Sequence, residues 1–115
     1  MKIAIIDDSS FSRRQIKRVF AEELTEVLFI EFSNGTDAVD KLEHANVDLI
    51  TLDLVMPEPN GLEVLKQLRE KKVQAPIYIV SADIQDSTKQ ACADAGCTGF
   101  FEKPLVGSAI KSIIS

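Results

Sequence analysis

Two rhythms of apolar and polar positions alternate along the chain. KIAIID (2–7) is a short, β-branched apolar run that reads as a strand, and after it Ile16, Val19 and Phe20 recur at helical three-to-four spacing. EVLFIEF (26–32) predicts a second strand; Asn34 is then placed to cap a helix whose inner face carries Ala38, Leu42 and Ala45. VDLITLD (47–53) predicts a third strand. Pro57, Pro59 and Gly61 interrupt the chain after it, and Leu62, Leu65 and Leu68 mark the next helix. PIYIVS (76–81) predicts a fourth strand, followed by a helical stripe of Ile84, Thr88, Ala91, Cys92 and Ala95 that ends at Gly96. CTGFF (97–101) and the stretch 105–114 complete the pattern as a fifth strand and a last helix.

Strict alternation of strand and helix predicts an α/β fold: a five-stranded parallel sheet with helices on both faces, because each parallel crossover is right-handed and needs a helix. In such open, doubly wound sheets ligands bind beyond the carboxyl ends of the strands, where strand order switches. Those ends are polar here. The first strand runs into Asp7 and Asp8, the third into Asp53, the fourth into Ser81, and the fifth is followed by Lys103.

Asp53 is the most telling of these, because leucine, isoleucine, valine and methionine crowd it on both sides. A carboxylate that loses water must find partners or shift its pKa until it neutralises. Carboxylates gathered without compensation would repel by ~4 kcal/mol per pair at 4 Å and an effective dielectric of 20. A hard divalent cation relieves that repulsion, and Mg²⁺ takes one or two carboxylates together with waters and phosphate oxygens. The set Asp7, Asp8, Asp53, Ser81 and Lys103 therefore suits magnesium and a phosphoryl group.

Composition narrows the classes further. The 115 residues fit one domain spanning 1–115, and the longest apolar runs fall far short of the ~20 residues of a membrane span. The start, MKIAIIDDSS, meets two acids too early for a leader peptide, so the expected location is cytoplasmic. With 18 acids against 13 bases, and Arg13, Arg14, Lys17 and Arg18 as the only dense basic cluster, direct nucleic-acid binding is disfavoured. Cys92 and Cys97 have neither zinc nor redox spacing and read as reduced core thiols.

The motifs DD after the first strand, LDLVMPEPNG around Asp53, SAD from Ser81 and KP from Lys103, in that order, resemble the receiver domain of bacterial two-component response regulators, including stand-alone chemotaxis regulators. The resemblance covers the whole chain and carries an expected flavodoxin-like strand order of 2-1-3-4-5. It implies a phosphoprotein rather than an enzyme acting on other substrates. Asp53 would take a phosphoryl group from the phosphohistidine of a sensor histidine kinase or from a small donor such as acetyl phosphate, in a self-catalysed reaction. Asp8, Asp53 and the backbone carbonyl of Val55 would bind Mg²⁺, with Asp7 assisting through water. Lys103 and the Ser81 hydroxyl would contact phosphoryl oxygens. The output would be a changed face on the fourth helix, fifth strand and fifth helix, read by a downstream target protein, with a phosphatase as a further partner. No output domain is expected after the last helix.

Blander readings stand beside these. Asp7 and Asp8 are also good helix caps, Ser81 a turn serine, and Lys103 a solvated turn lysine. Phe100 takes a place where relatives carry a tyrosine that moves on phosphorylation; a static core ring is the alternative. His44 reads as exposed, and the Arg13 to Arg18 cluster as a solvated helix face. The resemblance implies a cis Lys103–Pro104 bond, against a base rate of ~5%. Val55 and Asp83, each two residues past a site residue, are departures expected to give slow to intermediate dephosphorylation. Three rivals remain: a phosphorylation-independent module on the same fold, a haloacid-dehalogenase-type phosphatase, and a flavin protein. The phosphatase needs an aspartate where Val55 stands, and the two carboxylates of DDSS would repel a flavin phosphate.

Overall fold

The structure, a computed structural model, describes residues 1–114. Strands β1 (Lys2–Ile6), β2 (Leu28–Phe32), β3 (Leu49–Leu52), β4 (Ile77–Ser81) and β5 (Gly99–Glu102) alternate with helices α1 (Ser10–Glu23), α2 (Gly35–Leu42), α3 (Gly61–Glu70), α4 (Asp86–Asp94) and α5 (Gly107–Ile114). The strands form one sheet of order β2-β1-β3-β4-β5, all pairs parallel, as expected. Alternate residues of the central strands face opposite ways, so two cores form. Ala4, Ile6, Ile50, Leu52, Ile77 and Ile79 pack with α2, α3 and Cys92 of α4 on one face. Ile3, Ile5, Leu49 and Val80 pack with α1 and α5 on the other. Central strands buried on both faces read as continuous apolar runs, which is why they stood out in the sequence.

Helix starts follow local chemistry. Asn34 caps α2 by accepting from the Asp37 N–H (2.8 Å), as anticipated, and Asn60 with Glu63 forms a reciprocal capping box on α3. Gly61 is needed for space: a Cβ there would run into the Asp53 carbonyl and the Leu54 Cα. The α4 C-terminus closes with Gly96 at φ +100°, while Gly96 N–H and Cys97 N–H donate to the Ala93 and Cys92 carbonyls. Both cysteines are free, and burial pushes the Cys92 thiol up to about 11, as suits a reduced core thiol.

Several boundaries differ from the sequence pattern. β2 begins at Leu28, because Glu26 sits at φ 51° in a turn. Ile84 precedes α4 and is exposed, so it is no part of the buried stripe. Cys97 completes the helix cap, so β5 starts two residues later, at Gly99, and Leu105 is buried ahead of α5. The Lys103–Pro104 bond is cis, and so is Glu58–Pro59, which nothing in the sequence reading anticipated. No helix among the described residues is long and apolar enough to cross a membrane.

Candidate functional site

The carboxyl ends of β1 and β3 lie side by side, with the Asp53 N–H bonded to the Ile6 carbonyl (3.0 Å). That pairing brings Asp7, Asp8 and Asp53 together: one carboxylate oxygen from each lies within 4.8 Å of the other two. Asp7 and Asp53 are buried, at 1% and 6% exposure, while Asp8 opens to solvent. The capping alternative is not what Asp7 does, since the α1 cap is Ser9, whose hydroxyl accepts from the Ser12 N–H.

Lys103 arrives from the far side of β4. Its backbone N–H donates to the Ser81 carbonyl (2.9 Å), which hangs the residue on the end of the neighbouring strand. Its ammonium donates to Asp7 Oδ2 at 2.7 Å and reaches Asp53 Oδ2 at 3.4 Å. The side chain is only 23% exposed, so it is not the solvated turn lysine of the bland reading. Ser81 is fully buried; its hydroxyl accepts from the Asp83 N–H (3.2 Å) rather than contacting the carboxylates. The Val55 N–H makes a long bond to Asp53 Oδ1 (3.4 Å), and the Val55 side chain points to solvent.

Burial raises the pKa of Asp53 above the ordinary carboxylate range, and the negative charge of Asp7 adds to the rise; Lys103 and the Val55 N–H pull the other way without cancelling it. Among the described residues, the Lys103 ammonium pairs with two of the three clustered carboxylates, Asp7 and Asp53. The donors are all hard oxygens, with no imidazole or thiolate in the group, and this set fits Mg²⁺ rather than a softer transition metal. His44 is exposed past the end of α2, beside Glu43, and has no part in the site.

Two contacts at the site were missed by sequence reading. Ser12 Oγ donates to Asp7 Oδ2 at 2.6 Å, and Arg13 Nη1 donates to the Asp7 carbonyl at 2.7 Å while its Nε pairs with Glu31. Arg13 is therefore inward-turned, not part of a solvated face. The only signal was position: both follow the Ser9 cap within the first turn, and their orientation depends on where α1 docks. Phe100 is half-buried against the core, with the Lys89 ammonium 5.8 Å from its ring centre.

A parallel 2-1-3-4-5 sheet carrying a buried aspartate, two neighbouring acids and an inward lysine at its carboxyl edge defines a receiver-type signalling domain. Residues 3–115 match the model of the response regulator receiver domain, and the chain belongs to that family. It is 34% identical over 114 residues to the chemotaxis protein CheY of Bacillus subtilis, an alignment covering 99% of this chain and 94% of that one. CheY of Listeria monocytogenes is 36% identical over 105 residues, covering 91% and 87%. Among solved structures, the receiver domain of the Francisella response regulator 1452 superposes with a TM-score of 0.83 at 26% identity, covering 95% of this chain and 88% of that one.

Proposed function

We propose that the chain is a phosphorylation-operated switch whose phospho-acceptor is Asp53. The observation that carries this reading is the buried Asp53 carboxylate, set among Asp7 and Asp8 and reached by the Lys103 ammonium. Asp8, the Asp53 carboxylate and the Val55 carbonyl would hold Mg²⁺, with Asp7 supporting it through water. When bound, the ion neutralises charge on the transferring phosphoryl group.

The chain's own residues do the rest. An Asp53 carboxylate oxygen attacks phosphorus in line, the bond from phosphorus to the donor breaks, and the donor leaves as imidazole or as a carboxylate. Lys103 shifts its ammonium from the carboxylates toward a phosphoryl oxygen. The Ser81 hydroxyl, released from the Asp83 N–H, donates to another oxygen. Burial of Asp53 and Asp7 limits the water that screens these charges and strengthens their interactions.

The proposed donor is the phosphohistidine of a sensor histidine kinase, or a small acyl phosphate. The proposed output is the α4–β5–α5 face, read by a downstream target protein. Two features support it: α4 buries only Cys92, and its cap residue Gln85 makes no side-chain cap bond. Acetyl phosphate with Mg²⁺, followed by intact-mass measurement, tests the reading. The native protein is expected to gain one phosphoryl group and Asp53→Asn none, with the gain abolished by a chelator. Equal labelling of the two proteins would overturn Asp53 as the acceptor, and no labelling from acetyl phosphate or any histidine kinase would favour a phosphorylation-independent module.

A further inference from the structure

Asp7 is held more tightly than a water-mediated metal ligand requires. Its Oδ1 accepts from the Ser9 N–H (2.9 Å), and its Oδ2 accepts from both Ser12 Oγ (2.6 Å) and Lys103 Nζ (2.7 Å). Its backbone is tied as well, the N–H to the Phe32 carbonyl and the carbonyl to Arg13. Ser12 is fixed in turn, because its own N–H donates to the capping Ser9 hydroxyl (3.2 Å) in the first turn of α1. A hydroxyl 2.6 Å from a buried carboxylate is a charge-assisted bond, among the stronger and more directional contacts available to a serine.

We propose that Ser12 is a positioning residue for Lys103: it locks Asp7 Oδ2 in one orientation, and the ammonium that shares this oxygen is thereby held within reach of Asp53. Without the hydroxyl, Asp7 Oδ2 keeps Lys103 as its sole side-chain donor. Asp7 then keeps the Ser9 N–H on Oδ1 but loses one of the bonds that fix Oδ2, so this oxygen, and the ammonium that shares it, move over a wider range. Lys103 lies nearer Asp7 Oδ2 (2.7 Å) than Asp53 Oδ2 (3.4 Å), so its reach toward Asp53 depends on where Asp7 Oδ2 is held. Substituting Ser12 leaves the helix cap intact, because that bond uses the Ser12 backbone N–H.

The inference rests on Asp53 being the phospho-acceptor, and two readouts separate its failure from the failure of that reading. The first is the rate of acetyl phosphate labelling at saturating Mg²⁺ in native protein, Ser12→Ala and Ser12→Thr. Loss of one such bond is expected to slow Ser12→Ala by roughly five- to tenfold, with Ser12→Thr restored to near the native rate because it keeps the hydroxyl. The second needs no metal and no phosphate: hydrogen exchange of the Lys103 ammonium, followed by ¹⁵N NMR in chelator, is expected to be several-fold faster in Ser12→Ala than in the other two. Unchanged ammonium exchange in Ser12→Ala, or a labelling defect that threonine does not repair, would overturn the positioning role. If the native protein takes no label at all, the acceptor reading fails while the ammonium measurement still decides whether Ser12 holds Lys103.

Discussion

Asp53 occupies a place that suits its chemistry better than its stability. Its raised pKa, caused first by burial and then by Asp7, means that the folded chain holds this proton more firmly than the unfolded chain does. Stability linked to Asp53 is therefore fully present below the ordinary carboxylate pKa of ~3.9 and is lost as pH rises through its elevated value. At neutral pH the metal-free protein carries this cost, and an amide at the same place does not. Asp53→Asn is accordingly expected to melt a few degrees above the native protein at pH 7 in chelator. The gap should shrink as pH falls toward the ordinary carboxylate value, and also when Mg²⁺ is added to the native protein. Thermal denaturation across that pH range checks it; a variant melting below the native protein at pH 7 would show that Lys103 outweighs burial.

At the scale of elements, α4 is the helix the fold holds most loosely. Helices α1, α2 and α3 each bury three or four residues, α5 buries two, and α4 buries one. Its first turn is fastened instead through Asp83, whose carboxylate accepts from the Gln85 N–H (3.1 Å) and the Thr88 hydroxyl (3.1 Å). The Asp83 N–H in turn donates to Ser81 Oγ, so the hydroxyl that would meet a phosphoryl oxygen is two hydrogen bonds from the start of α4. In the proposed switch, turning Ser81 inward would break the first of these and free the loop, linking the site to the proposed output face. Thr88→Val removes the outer bond with little change in shape. It is expected to speed amide exchange in the first turn of α4 several-fold while leaving α3 unchanged, as read by hydrogen-exchange mass spectrometry; unchanged exchange in α4 would remove Asp83 from the linkage.

Over the whole molecule, two cores hold a rigid sheet and leave chemistry to one edge of it. That division explains what could be read in advance. Asp7, Asp53 and Ser81 each close a run of β-branched or apolar residues, so the strand rhythm itself pointed at them. Lys103 needed only the order of the motifs. Ser12 and Arg13 were illegible because helical spacing shows which residues share a face of α1 but not how that face turns toward Asp7. Ile84 was misplaced because its spacing suits a helix while the loop bonds of Asp83 delay the helix start to Asp86. The proposed switch depends on phosphate arriving on Asp53 and on no other acid of the cluster. Borohydride reduction of the labelled protein, which converts an aspartyl phosphate to homoserine, followed by peptide mass mapping, locates it directly. Homoserine at position 53 alone is the expected result; homoserine at position 7 or 8, or none in a protein that has demonstrably gained a phosphoryl group, would contradict the account.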